Sequence, residues 1–233
     1  MLADTTARQI ATLALSSDRP LVICDVDEVV VHFTRAFEAY IALQDLWLDP
    51  RSFAINGNIR RRATGEAVAQ AEVGQLIGVF FAERTRHLEP VEGAVEWLLA
   101  IGRHAEIVML SNLPHEAAEA RRENLRDHGL DFPLVTNAGP KGPAVKAIAG
   151  ENRHRVVFVD DSPSFIASAH EHMPQAHLIH FLHDPRFARY LEPLPFVSLT
   201  TGTWPEAGRH ILTLIGADRR SDSRTSHEPR PSP

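Results

Sequence analysis

Leu21-Val22-Ile23-Cys24-Asp25-Val26-Asp27-Glu28 opens on four consecutive apolar residues and then breaks into acids. An uninterrupted apolar run of this length suits a strand in a sheet covered on both faces. Similar runs recur at Glu106–Leu110, Pro133–Thr136, Val156–Val159 and His177–Phe181, with a further candidate at Phe196–Leu199. Segments with helical patterning lie around and between them, at 5–15, Gly93–Gly102, His115–His128, Pro143–Ala149 and Ala207–Ile215. Strands alternating with helices predict βαβ units and a parallel sheet, the α/β, Rossmann-like class.

One long stretch interrupts that alternation. In 33–88 the apolar residues Phe33, Phe37, Tyr40, Ile41 and Leu43, and later Val73, Leu76, Ile77 and Phe80, recur at helical spacing. Between the two sets lies the turn-rich segment Asp49–Gly65, which contains Arg60-Arg61-Arg62. The predicted organisation is a core made of 1–32 and 89–216, an inserted helical unit over 33–88, and a tail over 217–233. The tail has no apolar residue beyond its first alanine and is predicted to be disordered.

Composition narrows the function classes. The chain has 233 residues, 44% of them hydrophobic and 23% charged, as in an ordinary globular protein. A formal net charge of −6 argues against a general nucleic-acid binder. No apolar run approaches the ~20 residues a membrane helix needs, and the N-terminus lacks the basic start of a signal peptide. With Cys24 as the single cysteine, no internal disulfide can form, so a cytoplasmic setting is expected. Only Lys141 and Lys146 are lysines among 24 basic residues. In so arginine-rich a chain a retained lysine is a candidate for a compact point charge. The 13 histidines show no closely spaced ligand motif. His170 and His172 would fall on different helix faces, so no zinc site is expected, and His32, soon after the first acidic cluster, reads either as approaching a site there or as packing or surface.

Four polar clusters each follow a strand candidate, and the carboxyl ends of parallel strands share one edge. Asp25 and Asp27 leave the first strand; such a pair can attack phosphorus and protonate a leaving group, or equally serve as a cap or turn. Ser111-Asn112 follows the second and suits either an anion site or an ordinary helix cap. Lys141 stands in Gly139-Pro140-Lys141-Gly142-Pro143, at the mouth of a helix, where a structural lysine gains nothing from the macrodipole. Asp160-Asp161 ends a buried strand, and adjacent carboxylates there repel unless a cation lies near them.

The ordered set ICDVDEVV (23–30), IVMLSN (107–112), GPKGP (139–143) and VFVDDS (157–162) resembles the four motifs of the haloacid dehalogenase (HAD) superfamily. That resemblance implies a Rossmann-like core with a helical cap and a magnesium-dependent phosphatase acting on a small phosphorylated metabolite. It implies that Asp25 is the nucleophile forming an aspartyl-phosphate and Asp27 the general acid/base. Ser111, Asn112 and Lys141 would hold the phosphoryl group. Asp25, Asp27 (through its backbone carbonyl), Asp160 and Asp161 would hold magnesium. Dehalogenases and phosphonate-cleaving relatives do not normally carry Asp at the position of Asp27, which points to a phosphate monoester. Glu28 departs from the pattern, since many relatives have glycine there. A phosphomutase, a non-catalytic phospho-ligand binder and a receiver-like domain are the competing readings. The receiver is disfavoured because its acidic pair comes first in sequence. Oligomeric state is not legible.

Overall fold

The computed structural model describes residues 2–52, 54–151, 153–190 and 192–217. Apart from Ala217, the tail predicted to be disordered lies outside them. The chain begins with α1 (Asp4–Ala11), then β1 (Leu21–Cys24), and enters the insertion through α2 (Phe33–Ala42), β2 (Leu46–Leu48), β3 (Ile59–Arg61) and α3 (Gln70–Arg84). It continues through α4 (Ala94–Gly102), β4 (Glu106–Ser111), α5 (Ala118–Asp127), β5 (Leu134–Thr136) and α6 (Gly142–Ala149). Last come β6 (Val156–Asp160), α7 (Pro163–His172), β7 (His177–Phe181), α8 (Pro185–Ala188), β8 (Leu199–Thr201) and α9 (Trp204–Ile215).

Six strands form one parallel sheet in the order β5-β4-β1-β6-β7-β8. Their apolar runs fill both faces because alternate residues point to opposite sides. Val22, Cys24, Ile107, Met109, Val157 and Val159 enter one core layer with α4, α5 and α9. Leu21, Ile23, Val108, Leu110, Val156 and Phe158 enter the other with α6 and α7. β1 is therefore buried along its whole length, as its sequence requires.

From β1 the chain moves outward through β4 and β5, then returns to the other side of β1 for β6, β7 and β8. This reversal brings the ends of β4, β1 and β6 together. Cys24 is in register with Met109 and Val159, and the Asp25 amide donates to the Val159 carbonyl at 2.9 Å. A crevice at the carboxyl ends of such a sheet is where ligands bind in open α/β folds.

Two sequence expectations differ from the structure. The insertion is not wholly helical: Leu46–Leu48 and Ile59–Arg61 pair as an antiparallel ribbon between its two helices. Leu46, Leu48 and Ile59 bury one face of that ribbon, in a run too short for periodicity to register. The last strand lies at Leu199–Thr201, later than Phe196–Leu199. Pro193 and Pro195 precede it and bring no N–H to a ladder, and Phe196 instead stacks on His170 at 4.2 Å.

The insertion leaves and re-enters the core side by side. Val31 bridges Pro90, the His32 amide donates to the Glu89 carbonyl, and the Val91 amide donates to the Val30 carbonyl. Phe33, Phe37, Phe80 and Phe81 pack ring against ring and continue the core layer of the sheet into the insertion.

Helices α6 and α7 approach closely at Gly142, whose amide donates to Ser168 Oγ at 3.1 Å. A Cβ on Gly142 would lie 2.1 Å from the Ser168 carbonyl oxygen, so only glycine fits between the two helices. Gly142→Ala is expected to lower the unfolding free energy by about 1–3 kcal/mol through overpacking, read by urea denaturation.

Candidate active site

Lys141 is the centre of the site. It is fully buried, and its ammonium donates to Asp25 Oδ1 at 2.5 Å and to Asp160 Oδ2 at 2.7 Å. Asp25 follows β1 and Asp160 ends β6, so one lysine from the loop before α6 ties two adjacent strand ends together. The Phe165 ring lies 5.0 Å from the Lys141 nitrogen. Burial works against the ammonium, but Asp160 and Asp25 outweigh it and hold the Lys141 pKa above its ordinary value.

The carboxylates outnumber their cation. Oxygens of Asp25, Asp160 and Asp161 all lie within 4.8 Å of one another, facing the single ammonium of Lys141. Asp160 is fully committed: Oδ2 accepts from Lys141, and Oδ1 accepts from the Ser162 amide at 2.8 Å. Asp161 is the open member; it lines the cavity, and its backbone carbonyl accepts from His180 Nε2 at 2.9 Å. Burial raises the Asp161 carboxyl well above its ordinary value, and the charges of Asp160, Asp25 and Glu28 add to this. Three carboxylates around one ammonium leave a formal excess of two negative charges, which suits a divalent cation with hard oxygen ligands.

Asp27 stands on the loop after β1 and is held from two sides. Ser111 Oγ donates to Oδ2 at 3.0 Å, and Arg121 donates to Oδ1 at 2.6 Å. Arg121 lies on α5, is fully buried, and reaches Asn124 Oδ1 at 3.5 Å. Nothing in the sequence marks it out, because it sits in a helix that reads as polar and exposed; only the packing of α5 shows that its guanidinium points inward. The Ser111 hydroxyl also accepts from the Leu113 amide at 3.1 Å, so it caps the start of the segment after β4 while it anchors Asp27.

Of the predicted site residues, Asp25, Asp27, Asn112, Lys141 and Asp161 line one cavity of about 420 Å³. Ser111 and Asp160 lie behind them, fully buried. Asn112 Nδ2 donates to the Gly139 carbonyl at 2.8 Å, which braces the loop carrying Lys141. The far walls are mostly apolar: Phe33, Ile55 and Ile77 from the insertion, and Phe165, Leu182 and Phe187 from the core. Arg60 and Arg61 are ion-paired with Asp49 and Glu72 on the insertion, and Arg60, Arg61 and Arg62 do not line this cavity.

Glu28 has a structural explanation. Its φ is 65°, the left-handed region that glycine enters freely and other residues enter at a cost. Its carboxylate, half-buried at the cavity edge, accepts from the backbone amide of Thr34 and thereby caps the first turn of α2. Burial raises the Glu28 pKa, against the opposing effect of that hydrogen bond. The acid offsets its backbone strain by anchoring the insertion.

No protein-family model matches the chain, and no curated protein matches it in sequence. Solved structures do. The HAD-hydrolase YfnB from Bacillus subtilis, bound to magnesium, superposes with a TM-score of 0.57 at 14% identity, covering 83% of this chain and 98% of that one. A HAD family hydrolase from Deinococcus radiodurans R1, with bound phosphate and sodium, gives 0.56 at 16% identity, with 85% and 97% covered. The defluorinating L-2-haloacid dehalogenase Rha0230 gives 0.55 at 15% identity, with 85% and 98% covered.

Two outcomes follow from the electrostatics. Removing the Arg121 charge leaves Asp27 uncompensated in a largely buried place, so Arg121→Met is expected to cost about 3 kcal/mol in urea denaturation. Burial raises the Asp25 carboxyl to about 7; Lys141 opposes this, and Asp160 and Asp27 add to it. The metal-free native state therefore keeps a proton on Asp25 that the unfolded chain releases near pH ~4, and the contribution of this group to stability falls as pH rises from there through about 7. Asp25→Asn is expected to remove the share of that fall due to Asp25, so its stability relative to the parent grows across this window in denaturation series at several pH values.

Proposed function

We propose that this chain, which has the fold of the HAD-like hydrolases, is a magnesium-dependent phosphatase of a small phosphate monoester. The observation that carries the reading is the excess of carboxylate around the buried Lys141 at the floor of a cavity with mostly apolar walls. A divalent cation and a phosphoryl group together complement that floor. The apolar walls suit a compact organic body on the other side of the ester.

The donor set fits magnesium, which takes oxygen ligands and keeps several waters. Asp25 and Asp161 would hold it, with the Asp27 backbone carbonyl as a further ligand and Asp160 steadying the group through Lys141. When bound, magnesium would neutralise charge on the phosphoryl oxygens.

The protein groups divide the remaining work. An Asp25 carboxylate oxygen attacks phosphorus and the ester P–O bond breaks, leaving an aspartyl-phosphate and the substrate alcohol. Asp27 supplies the proton to the departing oxygen; to do so it gives up a partner, since Ser111 and Arg121 both donate to it here. The same carboxylate then takes a proton from water as water attacks the phosphorus, which releases phosphate and restores Asp25. Lys141 draws charge from the equatorial oxygens and keeps the nucleophile aligned, the two requirements that dominate phosphoryl transfer. Asn112, on the cavity wall, would complete the phosphoryl cradle, while Ser111 behind it holds Asp27 in place.

The fold is also that of a dehalogenase, so the chemistry must be read directly. The expected result is magnesium-dependent phosphate release from p-nitrophenyl phosphate and from a panel of sugar phosphates, nucleotides, phosphoserine and phosphoglycolate. Asp25→Asn is expected to reduce it by about a thousandfold or more. Full activity in that variant, or halide release from 2-haloacids without phosphate release, would sink the proposal.

A further inference from the structure

Three side chains far apart in sequence meet outside the carboxylate cluster. His32 stands just before α2, Glu92 just before α4, and His183 just after β7. His32 Nε2 lies 3.3 Å from Glu92 Oε2, and His183 Nε2 lies 3.5 Å from the same oxygen. One donor atom of each residue lies within 4.8 Å of the other two. Donors bound to one ion at 2.0–2.1 Å with tetrahedral angles stand about 3.3 Å apart. Two of the three separations already match that spacing.

A second observation points to a missing ligand. His32 is 6% exposed, and its Nε2 has no aligned hydrogen-bond partner despite its closeness to Glu92. An orphaned polar atom in a protein interior is costly and calls for a partner. The two imidazole rings are tilted by 54° with centroids 5.0 Å apart, so they are not stacked on each other. His183 Nδ1 faces the Gly202 carbonyl at 3.2 Å. That contact needs the proton on Nδ1 and leaves the Nε2 lone pair free, the backing that metal-binding histidines commonly have.

We propose that His32, Glu92 and His183 form a second cation site, distinct from the magnesium cluster and suited to zinc. Two imidazoles and one carboxylate are the donors zinc favours, whereas magnesium prefers oxygen. The Glu92 side chain is 73% exposed, so an ion can enter and a water can fill the fourth position. The site lies where the insertion joins the core. His32 follows Val31 and Glu92 follows Val91, on the two paired stretches through which the chain leaves and re-enters. His183 belongs to the loop that walls the cavity. An ion there would clip both ends of the insertion to the loop after β7 and so set how the insertion lies over the cavity.

The test uses the full chain stripped of metal and held in excess magnesium, with zinc alone as the probe in equilibrium dialysis. One equivalent of zinc is expected to bind. Glu92→Gln and His183→Gln are each expected to weaken it by about tenfold or more, while Asp161→Asn leaves it unchanged. Cobalt(II) in place of zinc is expected to give a visible band typical of four- or five-coordination that His183→Gln abolishes. Glu92 is exposed and His183 partly so, which makes both variants foldable; far-UV circular dichroism checks this. No bound zinc, zinc affinity unchanged in both variants, or zinc lost only in Asp161→Asn would overturn the proposal.

Discussion

The Lys141 ammonium, sealed from solvent between Asp25 and Asp160, is the constraint around which the rest of the site is arranged. A buried charge must be paired and hydrogen-bonded or it destabilises the fold. Lys141 meets that demand only if the ends of β1 and β6 and the loop before α6 all arrive at one point. The close contact of Gly142 with Ser168 draws α6 against α7, and the bracing of Gly139 by Asn112 holds the same loop from the other side. Because three carboxylates face this one cation, the pairing that stabilises the lysine also leaves negative charge to spare. Structural necessity and capacity for a metal come from the same imbalance.

A second buried pair, Arg121 with Asp27, serves the neighbouring acid. The first pair lies between β1 and β6, and the second reaches across from α5 to the loop after β1. Together they make both acids of the first motif part of the protein's electrostatic framework. Both acids line the cavity, but the Asp25 carboxylate is held by one partner and the Asp27 carboxylate by two. In the proposed reaction this difference separates a group that must point steadily at phosphorus from one that must exchange protons.

The insertion is joined to this framework at its root. Glu28 takes a left-handed backbone conformation and caps α2, the Phe33–Phe37–Phe80–Phe81 cluster extends the core layer outward, and the Val31–Pro90 bridge pairs the entering and leaving chain. The departure from glycine at position 28 is thus an anchor for the segment that supplies one side of the cavity wall. The histidine and glutamate grouping at the same root lies beside that anchor.

The parallel α/β fold and the residues of the carboxylate and lysine cluster were legible in the sequence. Their signals are local: unbroken apolar runs each followed by a polar cluster, in a topology that puts all strand ends on one edge. The short ribbon Leu46–Leu48 with Ile59–Arg61 was not legible, because three residues carry too little periodicity. Nor was the strand at Leu199–Thr201, where two prolines displace the ladder beyond the apolar residues that suggest it. Arg121 looks like one more charge on a polar helix, and His32, Glu92 and His183 are separated by 60 residues or more. Sequence determined which residues leave the strands and therefore share an edge. Tertiary packing alone decided which charges are buried, how they pair, and which distant side chains meet, because burial and pairing depend on neighbours that no local pattern encodes.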